Sequence, residues 1–163
     1  MTVPILSGAI LNPYAHPDWA AVKIGTPGVQ VGHVEYLTMG AATQAYVGQV
    51  VEQNTGSNAT AGSLLGTASA NGIKGVVIQP LANANGAGLA VVTAGEGVPV
   101  LGPPTGVFPG TWLKKVAGGV TAVATGPTDV GVVGFTSGFG LTGSVGPGAA
   151  YTTYPVHLCI GGQ

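Results

Sequence analysis

Residues 74–104 read KGVVIQPLANANGAGLAVVTAGEGVPVLGPP, and this stretch decides the fold. Lys74-Gly75-Val76-Val77-Ile78 is a short β-branched run ended by Pro80, and Leu89-Ala90-Val91-Val92 is a second, entered from the turn formers Asn83 to Gly88. Val98 and Val100 follow, closed by Gly102-Pro103-Pro104. β-branched side chains fit a pleated, half-buried surface, and glycine, asparagine and proline punctuate it, so each run is expected to be a strand and each gap a turn.

The same grammar extends outward in both directions. Toward the C-terminus, Trp112 and Leu113 begin a strand, Gly118-Gly119 makes a tight turn, and Val120 to Thr125 runs back as a hairpin. Val130 to Phe135 is the next strand. The last is Val156 to Ile160, in which Val156, Leu158 and Ile160 share one face by the two-residue period. Toward the N-terminus, residues 54–63 (NTGSNATAGS) read as a polar loop. Ala45 to Gln53 fits a short helix or a strand, and the flanking turn formers favour a strand. Val22 with Ile24, and Val29 with Val31, alternate around Thr26-Pro27-Gly28 as a hairpin or two short strands. Residues 1–20, with Pro4, Pro13 and Pro17 and the rings of Tyr14, His16 and Trp19, have neither period and read as an extended arm. Residues 21–163 then form a single β-rich domain, with a loop insertion expected near 136–154. Eight or so short strands without a convincing long helix make an all-β fold, an antiparallel β-sandwich or β-barrel carrying an extended N-terminal arm.

Composition limits what such a domain does. Of 163 residues, 6% are charged, against roughly 25% in an ordinary soluble domain, so uncharged polar groups and apolar atoms must cover the surface. With a net charge of −1, little electrostatic repulsion opposes association, and the composition suits a chain buried in an assembly. Four lysines, no arginine and five carboxylates supply no basic stripe for a phosphate backbone, so nucleic-acid binding is not expected. The N-terminus lacks the basic leading region of a cleaved signal. The charge-free stretch after Asp129 is too rich in glycine and proline for a transmembrane helix, so no membrane partner is expected. A single cysteine, Cys159, excludes an internal disulfide and fits synthesis in a reducing cytoplasm.

Candidate chemistry is sparse. Gly138 to Gly143 (GFGLTG) is a formal G-x-G-x-x-G after a strand, but a dinucleotide site needs a helix next, and Ser144-Val145-Gly146-Pro147-Gly148 breaks one. His157 and Cys159 point the same way on the last strand, as a metal or nucleophile pair would. Only His16 and His33 are further imidazoles, so an ordinary strand face is the expected reading. The carboxylates Asp18, Glu35, Glu52, Glu96 and Asp129 are scattered over different elements, with nothing to pair an acid with a base. Asn58-Ala59-Thr60 matches the glycosylation acceptor pattern and, since no secretory signal is expected, is expected to be a chance match. No catalytic, cofactor or metal residue is assigned, and the chain is not expected to be an enzyme. The candidate subunit or capsid contacts are Pro13, Tyr14, His16 and Trp19 on the arm and Phe108 and Trp112 in the domain, because aromatic anchors carry much interface energy. For Phe108 and Trp112 a place in the core is expected ahead of a contact.

From about Gly62 to Gly161 the chain resembles the phage head-decoration or capsid cement proteins. GIKGVVIQPL, LAVVTAGEGVPVLG, FPGTWLKKVAGGVTAV, DVGVVGF and the closing VHLCIGG follow one another in the order of that family's compact β-module. The longer N-terminal arm and the segment from Thr136 to Tyr154 depart from the minimal module. The resemblance implies a homotrimer or similar small oligomer on the outer surface of the virion capsid, bridging and stabilising neighbouring copies of the major capsid protein without chemistry. Two other readings remain open: a different phage structural part, such as a head fibre base, tail element or spike, and a carbohydrate-binding β-module.

Overall fold

The computed structural model describes residues 30–39, 44–53, 61–63, 72–80, 88–144 and 151–160. Among the described residues eleven strands run in chain order: β1 (Gln30–Met39), β2 (Val50–Gln53), β3 (Ala61–Ser63), β4 (Ile73–Val77), β5 (Gly88–Glu96), β6 (Val98–Gly102), β7 (Trp112–Lys115), β8 (Thr121–Val123), β9 (Val132–Thr136), β10 (Leu141–Ser144) and β11 (Tyr151–Leu158). Among the described residues there is no α-helix, only a 3-10 turn at Ala117–Gly119, and no helix is long and apolar enough to cross a membrane. The chain is all-β, as its punctuation predicts.

The first five strands close into a barrel in the order β1-β3-β2-β4-β5, with β5 pairing back onto β1. All its pairings are antiparallel except the short parallel contact of β1 with β3. A second, antiparallel sheet runs β10-β11-β9-β7-β8, with β6 on the opposite edge of β11. The chain passes from barrel to second sheet through one residue, Gly97, whose φ of 65° is a left-handed conformation that glycine adopts without strain.

Two apolar clusters explain the unbroken runs in the deciding stretch. Leu37, Ala45, Val51, Val77, Leu89 and Val91 fill the barrel. Val50, Val76, Ile78, Ala90 and Val92 face outward from it and meet Val98, Val100, Leu113, Val133, Tyr154 and Val156 of the second sheet. Strands β4 and β5 are thus buried on both faces, so they show no apolar–polar alternation. Strand β11 alternates strictly, with Thr152, Tyr154, Val156 and Leu158 inward.

Three expectations need correcting. The segment 136–154 is not a plain loop insertion: it holds β10 and the first half of β11. The polar stretch 54–63 ends in strand β3. Neither Phe108 nor Trp112 enters the core. Phe108 is 66% exposed because its loop turns outward at Pro109-Gly110, and Trp112, next to inward Leu113, necessarily takes the outer face of its strand. The arm 1–20, the alternating residues Val22 to Val29 and the sequon at Asn58 lie outside the described residues.

Candidate functional site

The polar side chains in the domain interior form a seam between barrel and second sheet. On β2, Val50 faces the second sheet, and the two-residue period puts Glu52 on the same side. On β7, Leu113 faces the barrel, and the same period brings Lys115 inward. Lys115 Nζ lies 3.5 Å from Glu52 Oε1, with the side chains 0% and 5% exposed. Burial pushes the Lys115 ammonium below its ordinary value, and the Glu52 charge and hydrogen bond work against that shift. Beside the pair, the Gln49 amide donates to the Gly118 carbonyl at 2.7 Å and accepts from the Tyr46 N–H at 2.7 Å, and the Thr121 hydroxyl donates to the Leu101 carbonyl at 2.9 Å. Glu52 and Gln49 come from the barrel side, Lys115 and Gly118 from the second sheet. The seam ties the two together, with the Lys115 side chain fully enclosed.

The outer face of the second sheet carries a row of rings. Trp112, Phe135 and His157 sit opposite one another across β7, β9 and β11. The Trp112 and Phe135 centroids are 5.2 Å apart in an edge arrangement, and Phe135 stacks on His157 at 4.9 Å. Both geometries are favoured by the ring quadrupoles. The Glu96 carboxylate, at the barrel-to-sheet crossing, lies 3.0 Å from His157 Nδ1 and closes the row. Next to it Pro155 is paired in register with Pro99, so the face is built of rings and prolines, all half-buried.

A third feature is apolar and exposed. The loop before β7 is stitched to the end of β9: Gly110 N–H donates to the Thr136 carbonyl at 2.7 Å, and the Thr136 hydroxyl donates to the Phe108 carbonyl. From this anchor Phe108 points to solvent. Three residues past Thr136 the chain bulges, because residues 137–140 separate Thr136, opposite Val156, from Leu141, opposite Thr153. The bulge leaves Phe139 76% and Leu141 75% exposed. This bulge is the G-x-G-x-x-G run. A Cβ on Gly138 would come 3.1 Å from Pro155 Cγ, and one on Gly140 would overlap the Thr152 and Tyr154 side chains. These glycines serve close packing of β11, and the run continues directly into strand β10, Leu141–Ser144.

The other groups singled out by type are engaged locally. Cys159 donates weakly to the His157 carbonyl at 3.8 Å, and burial raises its pKa, the reverse of an activated thiolate. His33 lies 3.4 Å from Glu35 on β1. Asp129 accepts from the Thr125 hydroxyl and N–H and from Lys114 Nζ at 2.9 Å, bonds that hold its carboxyl down at about 2. Each described carboxylate therefore has its own cationic or imidazole neighbour, on the same strand only for Glu35, and among the described residues no three His, Cys, Asp or Glu side chains gather as a metal site. Of the expected contact residues, Phe108 and Trp112 are placed on the surface side of the second sheet, while Pro13, Tyr14, His16 and Trp19 lie outside the described residues. Phe135, Phe139 and Leu141 were missed. The two-residue period along this segment marks none of them, because the bulge at Val133 and the extra residues at 137–140 shift the faces. No protein-family model matches the chain, and no curated protein matches it.

Proposed function

We propose that this chain is a structural subunit that works by being covered in an assembly, and that the assembly is a phage capsid whose outer surface it decorates and cements. The observation that carries the reading is Phe108, Phe139 and Leu141 standing 66%, 76% and 75% exposed on a chain with 6% charged residues. Large apolar side chains grouped around one sheet end, with few charges to keep neighbours apart, suit contact with other subunits. The three are anchored through Thr136 and the β10–β11 pairing, so the contact surface is held by sheet hydrogen bonds and loses little freedom on binding.

In this reading the major capsid protein and further copies of this chain, in a trimer or similar small ring, are the partners. Added subunits that bind the assembled shell better than its separated parts stabilise it by mass action, and many modest contacts add up across a shell. The seam of Lys115, Glu52 and Gln49 has a mechanical place here, since it ties the barrel to the sheet that bears the exposed residues. The resemblance of residues 62–161 to cement proteins, carried by the five ordered segments, names the shell as the partner.

The test is cosedimentation of purified protein with expanded capsids that lack a decoration subunit. Saturable binding in hundreds of copies per capsid supports the proposal. Protein that stays in the supernatant at every concentration overturns it, and a dozen or fewer copies per particle points to a vertex or tail part instead.

A further inference from the structure

We infer that the face formed by Trp112, Phe135, His157, Pro155 and Pro99 is the docking site of the chain's own N-terminal segment, residues 12–20 (NPYAHPDWA). The inference goes beyond the proposed function and holds whatever the domain assembles with.

The first argument is where the segment leaves the domain. Gln30, the first described residue, is in register with Glu96 on β5, and the Glu96 carboxylate lies 3.0 Å from His157 Nδ1, at the end of the ring row. Strand β1 therefore begins beside this face rather than on the far side of the barrel. The second argument is reach. From Gln30 back to Trp19 the extended chain spans up to about 36 Å at ~3.3 Å per residue, while crossing from Glu96 through β11 and β9 to Trp112 takes about 15 Å at ~4.8 Å per strand. Tyr14, His16 and Trp19 all fall within that reach. The third is chemistry. The face offers ring edges and proline surfaces, with the Lys114 ammonium held by Asp129 and the Glu96 carboxylate 3.0 Å from His157 Nδ1. The segment carries Pro13, Tyr14, His16, Pro17 and Trp19, whose rings suit such a surface, and prolines fix part of the backbone in advance. Tethering makes the contact intramolecular, at an effective concentration that a free peptide or second copy has to exceed.

Cys159, the one cysteine in the chain, follows His157 by two residues and is partly exposed, so it serves as a native probe for the arm's position. Ala15→Cys and Ala20→Cys, introduced singly in the full chain, are oxidised at alkaline pH, where the Cys159 thiol ionises. Tyr36→Cys on the exposed side of β1 is the control. The expected result is a disulfide to Cys159 within one molecule, formed at least tenfold faster than in the control. Adding Trp112→Leu, or in a second variant His157→Gln, to Ala15→Cys should slow it at least tenfold. Cross-linking at the control rate overturns the inference, as does a rate indifferent to both face substitutions. Disulfide-linked dimers in place of the intramolecular product overturn it in favour of a neighbouring copy's arm.

Discussion

Replacing Lys115 by Met removes the cation of the seam and leaves the Glu52 carboxylate, 5% exposed, facing an apolar side chain. Breaking one partner of an enclosed pair typically costs about 3–5 kcal/mol, because the remaining charge stays enclosed and has lost its counter-ion. In a domain of this size, each kcal/mol moves the unfolding midpoint by roughly 2–4 °C, so the variant should melt about 6–20 °C lower. Replacing both partners, Lys115→Met with Glu52→Leu, removes the stranded charge. Its stability should return to within about 1 kcal/mol of the parent or exceed it, since enclosed pairs and apolar substitutes of similar volume are often equivalent. Urea unfolding of the parent, both single variants and the double variant gives the cycle. The reasoning fails if Lys115→Met costs less than about 1 kcal/mol, the value of a solvent-exposed pair. It also fails if the double variant is as unstable as the singles.

The Asp129 carboxyl, held down by the Thr125 hydroxyl, then by Lys114 and the Thr125 N–H, sits at about 2 against 3.8 unfolded. A depressed carboxyl contributes stability that is present above pH 3.8 and lost as pH falls toward 2, so Asp129→Asn should flatten the acid limb of a stability-versus-pH curve between those values. An unchanged limb would contradict the bonding pattern. Gly140→Ala drives a methyl into Thr152 and Tyr154 and should destabilise by about 1–3 kcal/mol in chemical denaturation, whereas a neutral result would show that β11 yields there. Phe108→Ser with Phe139→Ser should leave unfolding within about 0.5 kcal/mol of the parent per site, yet weaken self-association or shell binding tenfold or more; unaltered binding would move the contact elsewhere. Deleting residues 1–20 should leave a cooperative thermal transition while weakening assembly binding, and loss of the transition would place the arm in the core.

The central strands were legible because their burial is written in short-range pattern. Val76 to Ile78 and Leu89 to Val92 are apolar without a break because one side fills the barrel and the other meets the second sheet. Gly118-Gly119 marks the β7–β8 hairpin, since two successive left-handed φ values, 79° and 74°, are easy only for glycine. Strands β3 and β10 were not legible. Ala61–Ser63 and Leu141–Ser144 have no apolar period, and their strand state rests on pairing with β1, β2 and β11, which local sequence does not encode. Lys115 was overlooked for another reason: lysine is normally a surface residue, yet the parity of Leu113 with Lys115, and of Val50 with Glu52, already put both charges on the core side. The exposed Phe139 and Leu141 depend on a two-residue excess at 137–140, and a bulge in a glycine-rich stretch carries no signature apart from the glycines.

Sedimentation velocity of the purified full chain over a range of micromolar concentrations tests the assembly claim most directly. A discrete small oligomer that dissociates when Phe108 and Phe139 are both made serine is the predicted result. A single monomeric boundary at every concentration, unaffected by those substitutions, would contradict it.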